Sequence, residues 1–462
     1  MNQQYITQEK LKWLILIAGS VIAVIVMPLM LLYLPYYVPF GLVLGIIGFI
    51  LVLRYPFYGL IGYMLVIFLR PGETLMIPNV AKVAAGACLI SLIVKIIMEK
   101  RIAPWTAMTV TMLVFFAAVT ASVVNAYWLG QFFESWQYAL RMVILYVLIV
   151  NLADAPHKWR NLGLCILFLM SFLCVLAIKE YMTQGASEDF RTSGVTGGMF
   201  ASANDFAQII DMFLPFPILL FSYVKKTYQK LVFAGMTALG LMALVMTGSR
   251  GGFLGLMAVL FVLTLRSSRK VLIIFMAVVI IGAGLIFAPS SYIDRIQSIT
   301  EYEQDQSASD RLDAWIVGLK MYLASPLTGI GAGCFNAGSE EFGFDRDLVA
   351  HNTFVSVLAE MGTPGIVAFL LLFYYGFRAS RRIRRRLEAL NDKKSWIYLI
   401  ATGLTASLAA YMVTAFFLTT TFYSNLYMLL GMCAALEIIV LYGPDTKKQI
   451  LPGRIRSEPA QS

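Results

Sequence analysis

The chain has two histidines, and one of them, His351, has a setting suited to proton transfer. It directly precedes Asn352-Thr353 and an apolar segment that begins at Phe354. The positive end of a helix dipole disfavours an imidazolium by about 0.3–1 kcal/mol, so a histidine there is favoured as the neutral ring that a general base needs. A histidine that only ends a loop at the membrane interface is the structural alternative. The other, His157, is expected to be a solvated loop residue.

Three arginines could hold a phosphate-bearing substrate near that histidine. Arg191 lies in a polar segment and Arg311 heads an expected helix, whereas Arg250 is followed by two glycines that would let a phosphate approach the backbone. A guanidinium binds phosphate oxygens through two parallel hydrogen bonds and keeps its charge, so several arginines around one outer cavity suit a pyrophosphate. Each could instead anchor a helix end at the interface, and that alternative is strongest for Arg311.

A fourth arginine, Arg141, lies near the middle of the apolar segment 132–152. A charged side chain is costly in lipid, so Arg141 is expected to face the protein interior. It would there either take part in the site or form a structural ion pair. The carboxylates considered as partners are those of Glu134, Asp205 and Asp211.

Motifs that mark cofactors or metals in other proteins do not fit this chain. The five cysteines lack metal-ligand spacing, and no cofactor is expected. The glycine-rich stretch Gly329–Gly333 follows a helix and a proline rather than a strand, so it is interpreted as a backbone turn beside the site and not as a nucleotide loop. Asp345 and Asp347 have the spacing of a metal-binding pair but are interpreted as solvated loop residues. We therefore expect chemistry without a bound metal.

The composition identifies the environment in which these residues act. Of the 462 residues, 59% are hydrophobic and 13% are charged, and the mean hydropathy is +0.77. An ordinary soluble domain has about a quarter of its residues charged and under half apolar, so the chain is an integral membrane protein. The 36 Lys and Arg residues separate apolar segments rather than form one basic face, which argues against nucleic acid as a partner despite the net charge of +10.

The apolar segments predict an all-α polytopic membrane helical bundle. A segment of about 20 residues crosses about 30 Å of hydrocarbon. The chain has fourteen candidates, of which 39–53, 57–69 and 251–266 are short, so about 12–14 transmembrane helices are expected. Basic residues accumulate in cytoplasmic loops. Both termini are therefore predicted to be cytoplasmic, because that orientation puts 26 of the 36 basic residues on the cytoplasmic side.

This orientation leaves two long loops on the outer side, 180–204 and 289–352. We assign residues 1–442 to a transmembrane domain with its site among these loops, and 443–462 to a cytoplasmic tail. In the second loop, Ser307–Asp310 has the pattern of a helix capping box, and a helix is expected to run from there to Pro326. Its apolar residues at helical spacing are Leu312, Trp315, Ile316, Leu319 and Leu323. We expect this amphipathic helix to lie on the outer membrane face or over a cavity.

Two further expectations concern the segment after His351. Residues 362–365, Gly-Thr-Pro-Gly, should break its helix, and a broken helix at membrane depth is typical of a cavity wall. Glu360 lies nine residues after His351, on the opposite face of a continuous helix, so it is not expected to orient the histidine. The basic segment Arg378–Lys394 is expected to form a helix that rests on anionic lipid.

These motifs resemble the bacterial O-antigen ligase and O-antigen polymerase superfamily over roughly residues 185–375. The similar stretches are Arg191-Thr192-Ser193-Gly194 to Asn204, Ser249-Arg250-Gly251-Gly252, the Arg311 to Trp315 helix leading to Pro326-Leu327-Thr328-Gly329-Ile330-Gly331, and His351-Asn352 followed by Glu360-Met361-Gly362. Their order and spacing carry the resemblance, on a matching hydropathy profile. Ala203 departs from it, since many relatives have proline there, but this residue belongs to a turn and not to the chemistry.

The resemblance implies a metal-independent glycosyltransferase with a GT-C-like fold, the helical membrane fold of enzymes that use lipid-linked sugars. Its donor would be a glycan on undecaprenyl pyrophosphate, at the periplasmic face of the bacterial inner membrane. By carry-over, Arg191 and Arg250 would bind pyrophosphate, and Arg311 would assist or shape the acceptor side. His351 would activate the acceptor hydroxyl. Asn204 and Asn352, within the similar stretches, would support the site, and Arg141, outside them, is a further supporting candidate because of its position in an apolar span.

The possible functions differ in the molecule that accepts the glycan. It would be lipid A core for a ligase, a second lipid-linked glycan for a polymerase, or a protein hydroxyl for an O-oligosaccharyltransferase. A ligase is favoured, because the long outer loop is of moderate length and a second large arginine-rich loop is lacking. A secondary transporter is the alternative from another class. The chain has no internal repeat, and its ionisable residues cluster at the outer face rather than at the membrane midplane, which argues against a transporter.

Overall fold

The computed structural model describes residues 37–74, 79–184, 192–194, 196–266, 306–343 and 349–443, and within these ranges it contains helices and no β-strand. The helices in chain order are α1 Tyr37–Arg54, α2 Pro56–Leu69, α3 Pro71–Thr74, α4 Val80–Glu99, α5 Ala107–Ala121, α6 Leu129–Leu152, α7 Pro156–Gln184, α8 Ala203–Phe213, α9 Pro215–Tyr223, α10 Thr227–Met246, α11 Arg250–Arg266, α12 Gln306–Ala324, α13 Phe335–Gly338, α14 Thr353–Ala389, α15 Trp396–Thr414 and α16 Ser424–Tyr442. The predicted all-α membrane bundle is confirmed.

Nine helical segments of the described chain are long and apolar enough to cross a membrane, and two shorter apolar helices lie at 45–54 and 56–69. They follow the predicted spans closely. The segment expected at 205–223 is divided into α8 and α9, because Pro215 begins the second helix. The expected spans near 12–33 and 270–288 lie outside the described residues, so the predicted total of 12–14 stays a prediction.

The last helix, α16, forms the centre of the bundle. It is apolar on all sides, and 89% of its most apolar 18-residue window is buried. A helix without a polar face is stable in the interior of a protein, where every side finds an apolar neighbour. Helices α6, α7, α14 and α15 pack around it. This core holds the start of α14 and the end of α15 in place, and the candidate site lies there.

Helix α14 has 37 residues, about 55 Å at 1.5 Å per residue, and therefore extends beyond the hydrocarbon. It is kinked at Gly362 (φ 63°, ψ −162°), as predicted. The N–H of Thr363, released by the kink, donates to Pro326 O at 2.8 Å. The kink thus lets the chain before and after Pro326 pack against the helix.

The prediction for Arg378–Lys394 is wrong in one respect. Residues 378–389 continue α14 and pack against α15 and α16. Arg384 is buried, with Nη1 donating to Ala401 O at 3.0 Å, and Arg382 pairs with Glu437 at 2.7 Å. Arg384 is therefore held inside the protein rather than on lipid, whereas Arg382 stays exposed although it is paired.

The predicted loop helix exists as α12, but its orientation differs from the simple expectation. The helix already includes Gln306, so Ser307 is not its N-cap, and it ends before Pro326 as expected. The large apolar residues Leu312, Ile316, Leu319 and Leu323 are exposed, whereas small or slender residues form the buried face: Ala314, Val317, Gly318 and Met321.

Close packing explains which face of α12 is buried. A Cβ added at Gly318 would lie 2.5 Å from Cγ1 of Val355, near the start of α14. Small residues allow two helix backbones to approach this closely, which is the usual arrangement between helices in membranes. The exposed aliphatic row is therefore left in a position suited to contact with lipid. Helix α12 is held against α14 through its small residues.

Candidate active site

Arg250 is the first residue of α11 and is exposed. The turn before it bends at Gly248, which has a positive φ of 57°. The Ser249 hydroxyl accepts the N–H of Gly252 at 3.1 Å, as an N-cap does, and donates to Oδ1 of Asn204 at 2.8 Å. Arg250 thus stands at the positive end of a helix dipole, where N–H groups without an intrahelical partner favour an anion. Asn204 supports this turn from α8.

The two glycines after Arg250 have different surroundings. A Cβ added at Gly252 would lie 2.6 Å from Cβ of Ala207, so the missing side chain lets α11 approach α8. A Cβ at Gly251 would meet Cβ of Phe417 at 3.6 Å, an ordinary contact. Gly252 therefore serves helix packing, a use that the sequence pattern did not indicate.

Arg191 lies outside the described residues, but its neighbour Thr192 is buried. The N–H of Thr192 donates to Met246 O at 3.2 Å, and its hydroxyl donates to Ala177 O at 2.8 Å. Met246 is the last residue of α10, four positions before Arg250. The chain that follows Arg191 is therefore fixed beside the turn that leads to Arg250.

His351 is exposed and has a left-handed backbone, with φ 44°. The N-cap of α14 is Asn352, whose Oδ1 accepts the N–H groups of Phe354 at 2.9 Å and Val355 at 3.2 Å. The histidine thus precedes the cap by one residue, still at the positive helix end. A non-glycine residue with this backbone costs on the order of 1–3 kcal/mol and persists only where its surroundings determine it. Asn352 therefore sets the point from which the His351 ring projects.

Helix α12 fixes the chain just before His351. The indole Nε1 of Trp315 donates to Ala350 O at 3.2 Å. Arg311 is half-buried on the same helix, one turn before this tryptophan. The structure therefore brings Arg311 and His351 to the same region through the packing of α12 on α14.

The 415–423 connection, between α15 and α16, holds the start of α14. The N–H of Thr353 donates to Ala415 O at 2.8 Å, and its hydroxyl donates to Leu418 O at 2.6 Å. Thr353 in turn accepts the N–H of Thr420 at 3.0 Å. These bonds join the residue two positions after His351 to a segment more than sixty positions away in the chain.

The same connection contacts the starts of α8 and α11. Phe417 lies beside Gly251, and the Tyr423 hydroxyl donates to Oδ2 of Asp205 at 2.9 Å. Burial and the neighbouring Asp205 carboxylate raise the pKa of Tyr423, so its hydroxyl stays protonated as a donor. Three helix starts, those that carry Asn204, Arg250 and Asn352, therefore meet at one short segment.

A cavity of about 840 Å³ adjoins this segment and is large enough for a sizeable ligand. Ala350, Thr419 and Thr421 line it, and so do the cationic residues Arg70, Lys82 and Arg141 and the acidic residues Glu73 and Glu360. The hydroxyls of Thr419 and Thr421 are buried without a hydrogen-bond partner among the described residues. The predicted orientation leaves ten of the 36 basic residues on the outer side, and Arg70 and Lys82 are two of them. Their outer position is the sequence feature that could have identified them as site residues.

Arg141 faces the interior, as predicted, and lines this cavity. Its Nε donates to Gln137 O at 3.2 Å, and its guanidinium lies 4.0 Å from the ring centre of Tyr138. None of the three carboxylates considered as its partners pairs with it; Asp205, for example, accepts from Tyr423. In the described part of the chain, Arg141 is thus a cation of the cavity wall rather than half of a structural ion pair.

Glu360 is a buried residue of the cavity wall that the sequence did not mark as a site residue. Its Oε2 accepts the N–H of Gly333 at 2.9 Å. Gly329 (φ 67°) packs directly on the Glu360 backbone, where a Cβ would collide. The glycine-rich turn therefore packs on α14 just before the kink, and Glu360 holds that turn rather than His351.

Within the described ranges, three or more His, Cys, Asp or Glu side chains do not gather at any point as a candidate metal site. Asp345 and Asp347 lie outside these ranges. Of the residues that the structure describes, three cationic and two acidic residues line the cavity, and Arg70 forms an ion pair with Glu73.

Residues 235–370 match the family model described as O-antigen ligase. The match contains α11, α12 and the first part of α14, and thus Arg250, Arg311 and His351. It confirms the resemblance to the O-antigen ligase superfamily and indicates a multi-pass membrane protein with glycosyltransferase-type activity. None of the curated proteins is significantly similar to the chain.

Proposed function

We propose that this member of the O-antigen ligase superfamily is a metal-independent glycosyltransferase. It transfers a glycan from undecaprenyl pyrophosphate to an acceptor hydroxyl of lipid A core, at the periplasmic face of the bacterial inner membrane. The observation that carries the proposal is the meeting of the Arg250 turn and the His351 stretch at the 415–423 connection. The proposed anion-binding group and the proposed proton acceptor are thereby held by one short segment.

The donor is bound through its pyrophosphate. The Arg250 guanidinium donates two hydrogen bonds to phosphate oxygens, and the first N–H groups of α11 add the helix dipole. Arg191 acts as a second phosphate ligand. When the glycan leaves, negative charge grows on the pyrophosphate, and donors that are already oriented stabilise it without reorganisation. The cations of the adjoining cavity, Arg70, Lys82 and Arg141, support a donor that combines charge with sugar hydroxyls.

The acceptor is activated by His351. As the acceptor oxygen bonds to the anomeric carbon, the neutral imidazole takes the hydroxyl proton, and the bond from that carbon to the phosphate oxygen breaks. The pyrophosphate leaves with the electron pair of that bond, and the imidazolium later returns the proton to solvent. Arg311, on the helix that contacts Ala350, shapes the acceptor side.

His351→Ala tests the assignment of the base. General-base catalysis contributes about 10²–10⁴-fold, so turnover of the purified protein in nanodiscs should fall by that factor while donor binding changes little. His157→Ala, an exposed histidine at the other end of the bundle, should keep the wild-type rate. A His351→Ala protein that retains more than about a tenth of the rate would show that another group takes the proton.

Arg250→Lys tests phosphate binding separately from charge. An ammonium cannot reproduce the two parallel hydrogen bonds, so most transfer should be lost at normal expression. Near-normal transfer would mean that a point charge is sufficient there. EDTA should leave the wild-type enzyme active, and a metal requirement would contradict the metal-independent mechanism.

The acceptor is tested by mass spectrometry of glycoconjugates from cells with and without the gene. Loss of glycan from lipid A core supports the ligase. Loss of long glycan chains, or of protein-linked glycan, would assign the same chemistry to a polymerase or a protein O-oligosaccharyltransferase. The orientation is tested by cysteine labelling, which should report Gly343 as periplasmic and Arg385 as cytoplasmic.

A further inference from the structure

A second cavity, of about 1830 Å³, lies at the other end of the bundle. Helix α15 ends at Thr414 beside the candidate active site and begins at Trp396, which lines this second cavity. Helix α7 begins here as well, and α9 ends here. The cavity is therefore separate from the site proposed above and belongs to the face predicted to be cytoplasmic.

The rim of this cavity is strongly basic. The lysines and arginines that line it are Arg160, Lys225, Lys230, Lys393 and Lys394, all of them exposed. They come from three places that are distant in sequence: the first turn of α7, the chain around the α9–α10 junction, and the α14–α15 connection. Asp392 is the one acidic residue among the described residues of the lining. The rim is therefore built to attract an anion.

The wall below the rim is apolar and aromatic. It is formed mainly by Leu167, Phe213, Phe216, Leu220 and Phe233. Trp159 and Trp396 also line the cavity, with ring centres 5.9 Å apart, and Trp159 Nε1 donates to Met432 O at 2.8 Å. Tryptophan pairs an apolar ring with a polar N–H and accumulates at the level of lipid headgroups.

We propose that this cavity binds an anionic phospholipid. Its phosphate-bearing headgroup lies among the five cations, and an acyl chain runs along the aromatic and aliphatic wall. A soluble phosphate would leave that wall uncovered, and a zwitterionic lipid carries no net charge to match the rim. Basic pockets between transmembrane helices have this chemistry, and the volume exceeds the roughly 300–1,000 Å³ of sites for drug-sized ligands.

The binding is tested on the full-length protein purified in a neutral detergent. Phosphatidylglycerol, phosphatidylcholine and glycerol 3-phosphate are each titrated while thermal unfolding is followed. Phosphatidylglycerol should raise the unfolding temperature in a saturable manner, and the other two compounds should have little effect. An equal response to phosphatidylcholine would overturn the proposed charge recognition. An equal response to glycerol 3-phosphate would overturn the role of the acyl chain.

Two double variants locate the site. Arg160→Gln with Lys230→Gln removes two rim charges, each worth about 1 kcal/mol near anionic lipid, so phosphatidylglycerol should bind about 30-fold more weakly at about 1.4 kcal/mol per decade. Arg381→Gln with Arg385→Gln removes two exposed charges at the same end that do not line the cavity, and it should bind like wild type.

Equal weakening in the two double variants would show general electrostatic attraction and overturn the site. The unfolding temperature without lipid reports whether each variant is folded. If the first pair proves unstable, Lys225→Gln with Lys394→Gln removes the same charge from the other two parts of the rim. That pair should again bind phosphatidylglycerol about 30-fold more weakly, and unaltered binding would equally overturn the site.

Discussion

Replacing Gly252 with alanine tests how α11 is seated and, through it, how Arg250 is positioned. The new Cβ would lie 2.6 Å from Cβ of Ala207 and 3.1 Å from Cδ1 of Leu244. Carbon atoms pack best at about 3.5–4.0 Å, so the helix must move by about 1 Å away from α8. Overpacking of this kind costs about 1–3 kcal/mol. The unfolding temperature should therefore fall clearly below that of the wild type.

Gly251→Ala is the matched control. Its Cβ would meet Cβ of Phe417 at 3.6 Å, where nothing has to move. Alanine is also up to about 1 kcal/mol more favourable than glycine within a helix. This neighbouring substitution should leave the unfolding temperature unchanged or slightly raised.

The two variants should also differ in transfer. Arg250 is the first residue of α11, so a shift of the helix moves its guanidinium away from the proposed position of the donor pyrophosphate. Gly252→Ala should raise KM for the proposed lipid-linked donor and lower kcat more than Gly251→Ala, which adds a methyl group near the proposed phosphate site but leaves the helix in place. Thermal unfolding and initial rates on purified protein check this. Equal stability and equal donor KM in the two variants would refute the tight packing of α11 on α8 as the source of the position of Arg250.

Three further variants probe contacts around the site. Glu360→Ala removes the acceptor of the half-buried Gly333 N–H and should cost about 1–3 kcal/mol of unfolding free energy, whereas Glu360→Gln keeps an acceptor and should lose less. Trp315→Phe removes the bond to Ala350 and should cost about 0.5–1.5 kcal/mol, with a lower kcat because that residue precedes the proposed base. Burial raises the pKa of Asp154, but its two lysine partners together lower the pKa by more, so the net pKa lies below its ordinary value. The ion pairs of Asp154 therefore stabilise the fold above pH about 3.9, and this stabilisation is lost as the pH falls through the lowered pKa. Asp154→Asn should remove this part of the acid dependence of the unfolding temperature.

The sequence predicted the helices well, because a span in lipid has to be continuous and apolar. It also predicted the kink at Gly362, since proline lacks the N–H of a helical hydrogen bond and glycine tolerates the positive φ found at the break. The buried face of α12 was harder to predict. Large apolar side chains at helical spacing mark the buried face in water, but lipid is as apolar as leucine, and here the small residue Gly318 marks the packed face instead.

The candidate site was predicted only in part, because its parts meet through contacts distant in sequence. The residues next to Arg250 and His351 form recognisable motifs, and each of the two lies at a helix start that the local sequence pattern indicates. The 415–423 connection has no such pattern, since it acts mainly through backbone carbonyls and through Tyr423. Glu360 was excluded as a partner of His351 by helix geometry, and its bond to Gly333 joins it to the glycine-rich turn.

The 415–423 connection anchors the site mainly through backbone atoms, so this anchoring depends little on which side chains the connection carries. Ala415 and Leu418 hold Thr353 through carbonyl oxygens, which every residue type provides. Thr419, on the cavity wall, can therefore change without loosening the start of α14, whereas Phe416 packs on Phe354 in the first turn of that helix, with ring centres 4.9 Å apart. If the proposed function holds, substrate preference can diversify at Thr419 while the proposed reacting groups stay where they are. Substitutions at Thr419 are thus the natural starting point for changing the acceptor of the proposed transferase.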